Sequence, residues 1–159
     1  MIKRVLFVCT GNICRSPMAR ALFEDIVSSD TELADAGMEA DSAGTDPAFD
    51  KATAEAIEAM RGYGLDLSAH RSKPVSERLI EWADLILVME PWQRMHVTSL
   101  FPAADGKTRL LTDYAGERGI VADPFGSGIE VYVECAARLR SLLLKVAGRL
   151  RIESSDSGL

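Results

Sequence analysis

The stretch VLFVCTGNICRSPMAR, Val5 to Arg20, decides how the chain must be read. Val5 to Cys9 is continuously apolar rather than alternating, the pattern of a strand buried on both faces of a parallel sheet. Ser16 and Pro17 then suggest a helix start, with Ser16 as N-cap and Pro17 as first helical residue, running to about Ser28. Between strand and helix lie Thr10, Gly11, Asn12, Ile13, Cys14 and Arg15.

Outward from this stretch, strand and helix signals alternate. Met38–Thr45 (MEADSAGT) reads as a weaker strand ending near Gly44, and KATAEAIEAMRGYG, from Lys51, as a helix closed by Gly62 or Gly64. Ser76–Ala83 has helical spacing with Leu79, Ile80 and Trp82 as candidate buried positions. Leu85–Met89 (LILVM) is a second central strand, Pro91–Leu100 a helix and Arg109–Leu111 a short strand. Gly116–Gly128 is a loop containing DPFG. From Ile129 to Leu150 a long helix presents Val131, Ala136, Leu139, Leu142, Leu143 and Val146 as an apolar stripe. One domain is expected over 1–151, with a polar, frayed tail over 152–159. The order predicts an α/β fold with a parallel sheet covered on both faces, and ligands of such sheets bind beyond the carboxyl ends of the strands. Cys9 lies at such an end.

Composition narrows the function. The 159 residues are 47% hydrophobic and 26% charged, ordinary for a globular chain. A formal net charge of −6 argues against nucleic acid or an anionic membrane as partner. No apolar run reaches the roughly 18 residues of a membrane span, and Val5–Cys9 is too short for a secretory signal core. Three cysteines, Cys9, Cys14 and Cys135, make no disulfide framework and suit a reducing, cytoplasmic setting.

The loop itself has the chemistry of an anion cradle. Backbone N–H groups at a helix N-terminus converge where the helix dipole is positive. Five residues between Cys9 and Arg15 suffice to curl once around a tetrahedral anion, and the planar guanidinium of Arg15 can hold two of its oxygens. Gly11 allows close backbone approach, and Asn12 tolerates a left-handed conformation. The same positive field favours a Cys9 thiolate, because helix N-termini and neighbouring cations stabilise charged sulfur. A nucleophile inside an oxyanion clamp is what phosphoryl transfer through a covalent intermediate needs. Zinc binding fits poorly, because beyond the loop only Cys135, His70 and His96 remain as soft ligands, in no paired spacing.

Cys9-Thr-Gly-Asn-Ile-Cys-Arg15-Ser16 resembles the Cys-x5-Arg-Ser loop of the low-molecular-weight protein tyrosine phosphatases. DSAGT (Asp41–Thr45), SAHRSKPV (Ser68–Val75), LILVME (Leu85–Glu90) and ADPFG (Ala122–Gly126) are similar to further family blocks, in family order, over roughly Ile2 to Arg149. The resemblance implies a Rossmann-like three-layer domain with a central four-stranded parallel sheet. It implies Cys9 as nucleophile, Arg15 as phosphate clamp and Asp123 as general acid and base. Thr10, Gly11, Asn12, Ile13, Cys14 and Arg15 would bind phosphate, largely through backbone N–H groups. Ser16 would hydrogen-bond the Cys9 sulfur, Ser42 and His70 would brace Asn12, and Cys14 could trap oxidised Cys9 as a disulfide. Ile13, Phe49 and Phe125 would wall the substrate pocket. The partner implied is a tyrosine-phosphorylated protein, with inorganic phosphate or vanadate as inhibitor and no metal or cofactor.

Two departures from the family stand out. The segment after Thr45 is short, leaving Phe49 as its only aromatic. The acid loop has Phe125-Gly126 where many relatives carry paired tyrosines, so regulatory phosphorylation there lacks an acceptor. A protein-arginine phosphatase of the same family is the nearest alternative; such relatives place a threonine where Ile13 stands. Arsenate reductases share the loop but need two more cysteines, and only Cys135 lies beyond it. A phosphate-binding module would need neither thiolate nor acid.

Overall fold

The computed structural model describes residues 1–157. Four parallel strands, β1 (Arg4–Cys9), β2 (Glu39–Gly44), β3 (Leu85–Val88) and β4 (Thr108–Leu110), form one sheet in the order β2-β1-β3-β4. The two most apolar strands lie side by side in the middle. Residues alternate across them: Val5, Phe7, Leu85 and Leu87 face one hydrophobic layer, Leu6, Val8, Ile86 and Val88 the other. Each fully buried aliphatic side chain contributes roughly 1.5–3 kcal/mol of transfer free energy, so a strand buried on both faces is anchored from both sides.

Helices α1 (Arg15–Ser28), α3 (Ala54–Arg61) and α7 (Ile129–Ser157) cover the first face, through Met18, Leu22 and Phe23, Ala56 and Met60, and Leu139, Leu142 and Leu143. On the second face α4 (Glu77–Trp82) and α5 (Pro91–Leu100) supply Leu79, Ile80 and Val97. The result is the expected three-layer, single-domain Rossmann-like arrangement. Short helices α2 (Thr31–Asp35) and α6 (Leu111–Tyr114) and a 3₁₀ segment at Pro102–Lys107 complete the described chain.

Several local expectations need correction. Helix α1 starts at Arg15 with Cys14 as N-cap, so Ser16 lies inside the first turn and caps nothing. Trp82 is only partly buried, at the edge of the second layer. The tail expected from residue 152 is helical up to Ser157. There Glu153 takes Arg149 Nε at 2.8 Å and Tyr114 Oη at 2.8 Å, and Arg151 pairs with Asp30, which ties the last turns to the body. The rest of the expected tail, residues 158–159, lies outside the described residues.

Candidate active site

The carboxyl ends of β1, β2 and β3 converge on the Cys9–Arg15 loop. What shapes the loop is where its carbonyls go. Cys9 O accepts from Thr45 N (2.9 Å), Thr10 O from Asp46 N (2.9 Å), Ile13 O from Thr53 N (3.1 Å) and Cys14 O from Met18 N (3.1 Å). His70 Nε2 lies 2.7 Å from Asn12 O, which can only accept, so that nitrogen carries the proton. With the carbonyls held outward, the loop turns its N–H groups inward. Asn12 N–H, for one, donates to Cys9 Sγ at 3.3 Å.

Asn12 is the hinge of this curl. Its φ of 56° makes it the one non-glycine residue with positive φ among those described. A left-handed residue with a side chain is strained, and Asn tolerates it when locally bonded. Its side chain is wholly buried and fully used: Oδ1 accepts from Lys73 N (3.0 Å), while Nδ2 reaches Ser16 Oγ (2.8 Å) and Ser42 Oγ (3.0 Å). Burial pushes the His70 pKa down, which keeps the ring neutral beside this network. The glycine that close approach requires is Gly44, where a Cβ would meet Thr10 O at 2.6 Å. At Gly11 an added Cβ would meet only the Ile13 side chain, at 3.4 Å, so no protein backbone crowds that position.

The Asn12 amide occupies one lone pair of the Ser16 hydroxyl. Ser16 Oγ also lies 2.9 Å from Cys9 Sγ and 3.5 Å from Ala43 O, and toward a thiolate, which can only accept, its proton would go to the sulfur. A charged Cys9 sulfur would thus receive two hydrogen bonds, from Asn12 N–H and Ser16 Oγ, both of which stabilise negative charge.

Arg15 is buried to 2% side-chain exposure beneath the loop. Its Nη1 is taken by Glu90 Oε2 (2.8 Å) and Val121 O (2.9 Å), and the Glu90 carboxylate compensates the buried cation. Nη2 lies 3.7 Å from Asp123 Oδ2, whose side chain is half exposed. Among the described residues Nε and Nη2 have no hydrogen-bond acceptor, which leaves one edge of the fork for an oxyanion.

A pocket over the sulfur is lined by Cys9, Thr10, Gly11, Ile13, Cys14, Arg15, Asp46, Ala48, Phe49, Asp123 and Phe125. Phe49 and Phe125 stack across its mouth with ring centroids 6.2 Å apart. The residues expected to share this site are thus brought together, with Ser16, Ser42 and His70 behind the loop. Not foreseen were Glu90, Val121, Asp46, Lys73 and Gln93. For Glu90 a signal existed: it directly follows the apolar run Leu85–Met89, at the sheet end where ligands bind.

The Cys14 thiol lies 3.3 Å from Tyr132 Oη and 3.7 Å from Thr53 Oγ1. Burial raises its pKa, against the opposing effect of these hydroxyls. Cys135 is buried on α7 and its thiol is pushed up to about 12 by burial.

Comparison with known sequences decides the family. The sequence model of the low molecular weight phosphotyrosine protein phosphatases matches residues 4–155. The chain belongs to that family. It is a phosphatase of the low-molecular-weight class. It is 38% identical over 151 residues to a protein-arginine-phosphatase of Bacillus subtilis (strain 168), covering 92% of this chain and 96% of the relative. It is 37% identical over 135 residues to a probable low molecular weight protein-tyrosine-phosphatase, EpsP, of Ralstonia nicotianae, covering 84% and 86%. A structure of the YwlE arginine phosphatase, a cysteine-to-serine mutant with a phosphorylated active-site serine, superposes with a TM-score of 0.86. The identity is 36%, over 93% of this chain and 95% of that one. Among the described residues no helix is long and apolar enough to cross a membrane.

Proposed function

We propose that this phosphatase hydrolyses phosphotyrosine in proteins through a phosphocysteine intermediate. The observation that carries the reading is the loop whose carbonyls are drawn outward around a doubly hydrogen-bonded Cys9 sulfur. In the first step Cys9 Sγ attacks phosphorus while the P–O bond to the tyrosine breaks, and Asp123 gives its proton to the departing phenolic oxygen. In the second, the Asp123 carboxylate takes a proton from water, whose oxygen attacks phosphorus. The S–P bond then breaks, inorganic phosphate leaves, and the sulfur returns as a thiolate held by Ser16 and Asn12. Inward N–H groups and the free edge of Arg15 hold the non-transferred oxygens throughout. The phosphorylated serine in the YwlE mutant supports a covalent intermediate at this position. A cytoplasmic setting accords with three free thiols.

Tyrosine is favoured by the pocket wall. Ile13, Phe49 and Phe125 offer apolar faces to an aromatic ring. A second reading has its own support: Asp46 lines the same pocket and could meet a guanidinium, and relatives of similar identity are named arginine phosphatases. Matched phosphotyrosine and phosphoarginine peptides separate the two. We expect the tyrosine peptide to be hydrolysed at least about tenfold faster in kcat/KM, since desolvating a guanidinium against Ile13 leaves its N–H groups without a hydroxyl partner. Ile13→Thr should shift the ratio toward phosphoarginine. A parent that prefers phosphoarginine contradicts the tyrosine assignment and leaves the thiolate chemistry standing. Arsenate reduction is disfavoured, because the buried, high-pKa thiol of Cys135 is a poor relay.

The same loop bears on oxidation. After mild peroxide, Cys14 should close a disulfide onto oxidised Cys9, and a reducing thiol should restore activity. Because the Cys14 pKa is raised, closure should accelerate as pH rises and the thiolate fraction grows. Cys14→Ser should recover less, as Cys9 advances to sulfinic acid. Equal recovery of the two proteins contradicts a protective role.

A further inference from the structure

Gln93 is a wholly buried polar residue near the start of α5, with both ends of its amide engaged. Its Oε1 lies 2.9 Å from Met89 N and 3.0 Å from Glu90 N. Backbone N–H groups only donate, so these two contacts fix which end of the amide is oxygen. The other end, Nε2, is therefore a donor, and it lies 3.1 Å from Thr10 Oγ1. Thr10 accepts there, through one of its lone pairs. Its own O–H must then point elsewhere, and no described protein group accepts it. Thr10 lines the pocket that holds Cys9 and Arg15.

We infer that Gln93 is a positioning residue that sets the Thr10 hydroxyl as a donor to the bound phosphoryl group. Thr10 then binds phosphate through its side chain, besides any contact from its backbone N–H. The arrangement resembles that at Ser16, whose hydroxyl accepts from the Asn12 amide and lies 2.9 Å from the Cys9 sulfur. Gln93 also holds the Glu90 backbone, and Glu90 holds Arg15, so one side chain steadies both ends of the cradle. The inference rests on the proposed phosphate site and adds a ligand to it.

Binding of inorganic phosphate, followed by calorimetry, tests this without requiring turnover. Thr10→Val should weaken phosphate by about tenfold or more, the usual scale for a hydrogen bond to a charged group, and Thr10→Ser should recover most of the loss. Gln93→Glu keeps the two backbone contacts, but its carboxylate takes the Thr10 proton and turns a lone pair toward the anion. Its loss should exceed that of Thr10→Val, and should shrink as acid protonates the introduced carboxyl. In a Thr10→Val background the same change should cost clearly less, because no hydroxyl remains to be reversed. Thr10→Val within twofold of the parent, or a Gln93→Glu penalty equal in both backgrounds, overturns the inference. A parent that binds no phosphate at all overturns the site itself. If thermal unfolding shows that Gln93→Glu does not fold, the contrast between Thr10→Val and Thr10→Ser decides the matter alone.

Discussion

Cys9→Ser should lose turnover by about 10⁴-fold or more while still binding phosphate or vanadate within several-fold of the parent. The two halves of this result have separate causes. Serine retains the shape of the side chain, and the outward ties of the loop carbonyls to Thr45, Asp46, His70, Thr53 and Met18 do not involve the sulfur. The cradle therefore persists. What disappears is the nucleophile, because a serine hydroxyl is intrinsically far less acidic and less nucleophilic toward phosphorus than a cysteine sulfur. Turnover by the serine variant within tenfold of the parent would contradict the mechanism. Loss of both turnover and anion binding would show instead that the sulfur holds the loop together.

Asp123→Ala should separate substrates by their leaving groups. An alkoxide or a basic phenoxide departs only with a proton, whereas a nitrophenolate can leave without one. General acid catalysis is typically worth about 10²–10⁴-fold, so losses of that size are expected for basic leaving groups and much smaller ones for acidic phenols. Asp123 is also 3.7 Å from Arg15 Nη2, and its side chain is half exposed. The ion pair is solvent-screened, and its removal should leave the fold intact. Equal losses across a series of aryl phosphates would remove Asp123 from the acid role and leave it as a partner of Arg15.

The parts of this site that lie within one continuous segment were legible in the residues. A buried strand, a short polar loop and a helix start imply an anion cradle by backbone geometry alone, and Cys9 and Arg15 follow from their places in it. Asp123 could be named only with the help of family likeness, since an Asp-Pro in a loop is ordinarily a turn. What was not legible depends on neighbours set by the sheet. Glu90 reaches Arg15 because β3 lies beside β1. Val121 contributes a carbonyl, which no side-chain pattern reveals. Gln93 looks like an ordinary polar residue of an amphipathic helix until its burial is known. Ser16 shows the reverse case: local propensity favours it as a cap, yet Arg15 already begins the helix and the hydroxyl is drawn to the sulfur. Helices α2 and α6 are too short for periodicity to announce them. The polar end of α7 stays helical through ion pairs with Asp30 and along its own face, which charge content alone would not predict.

The central claim is that phosphorus passes through Cys9, and acid quenching during turnover of an aryl phosphate tests it most directly. Asp123→Ala is the variant of choice, because it lacks the base for the second step and should accumulate the intermediate when the leaving group needs no proton. Digestion and mass spectrometry should then find one phosphoryl group on the peptide containing Cys9, absent from the Cys9→Ser protein. Sustained turnover with no phosphoryl group on Cys9, or with the group on another residue, would contradict the account.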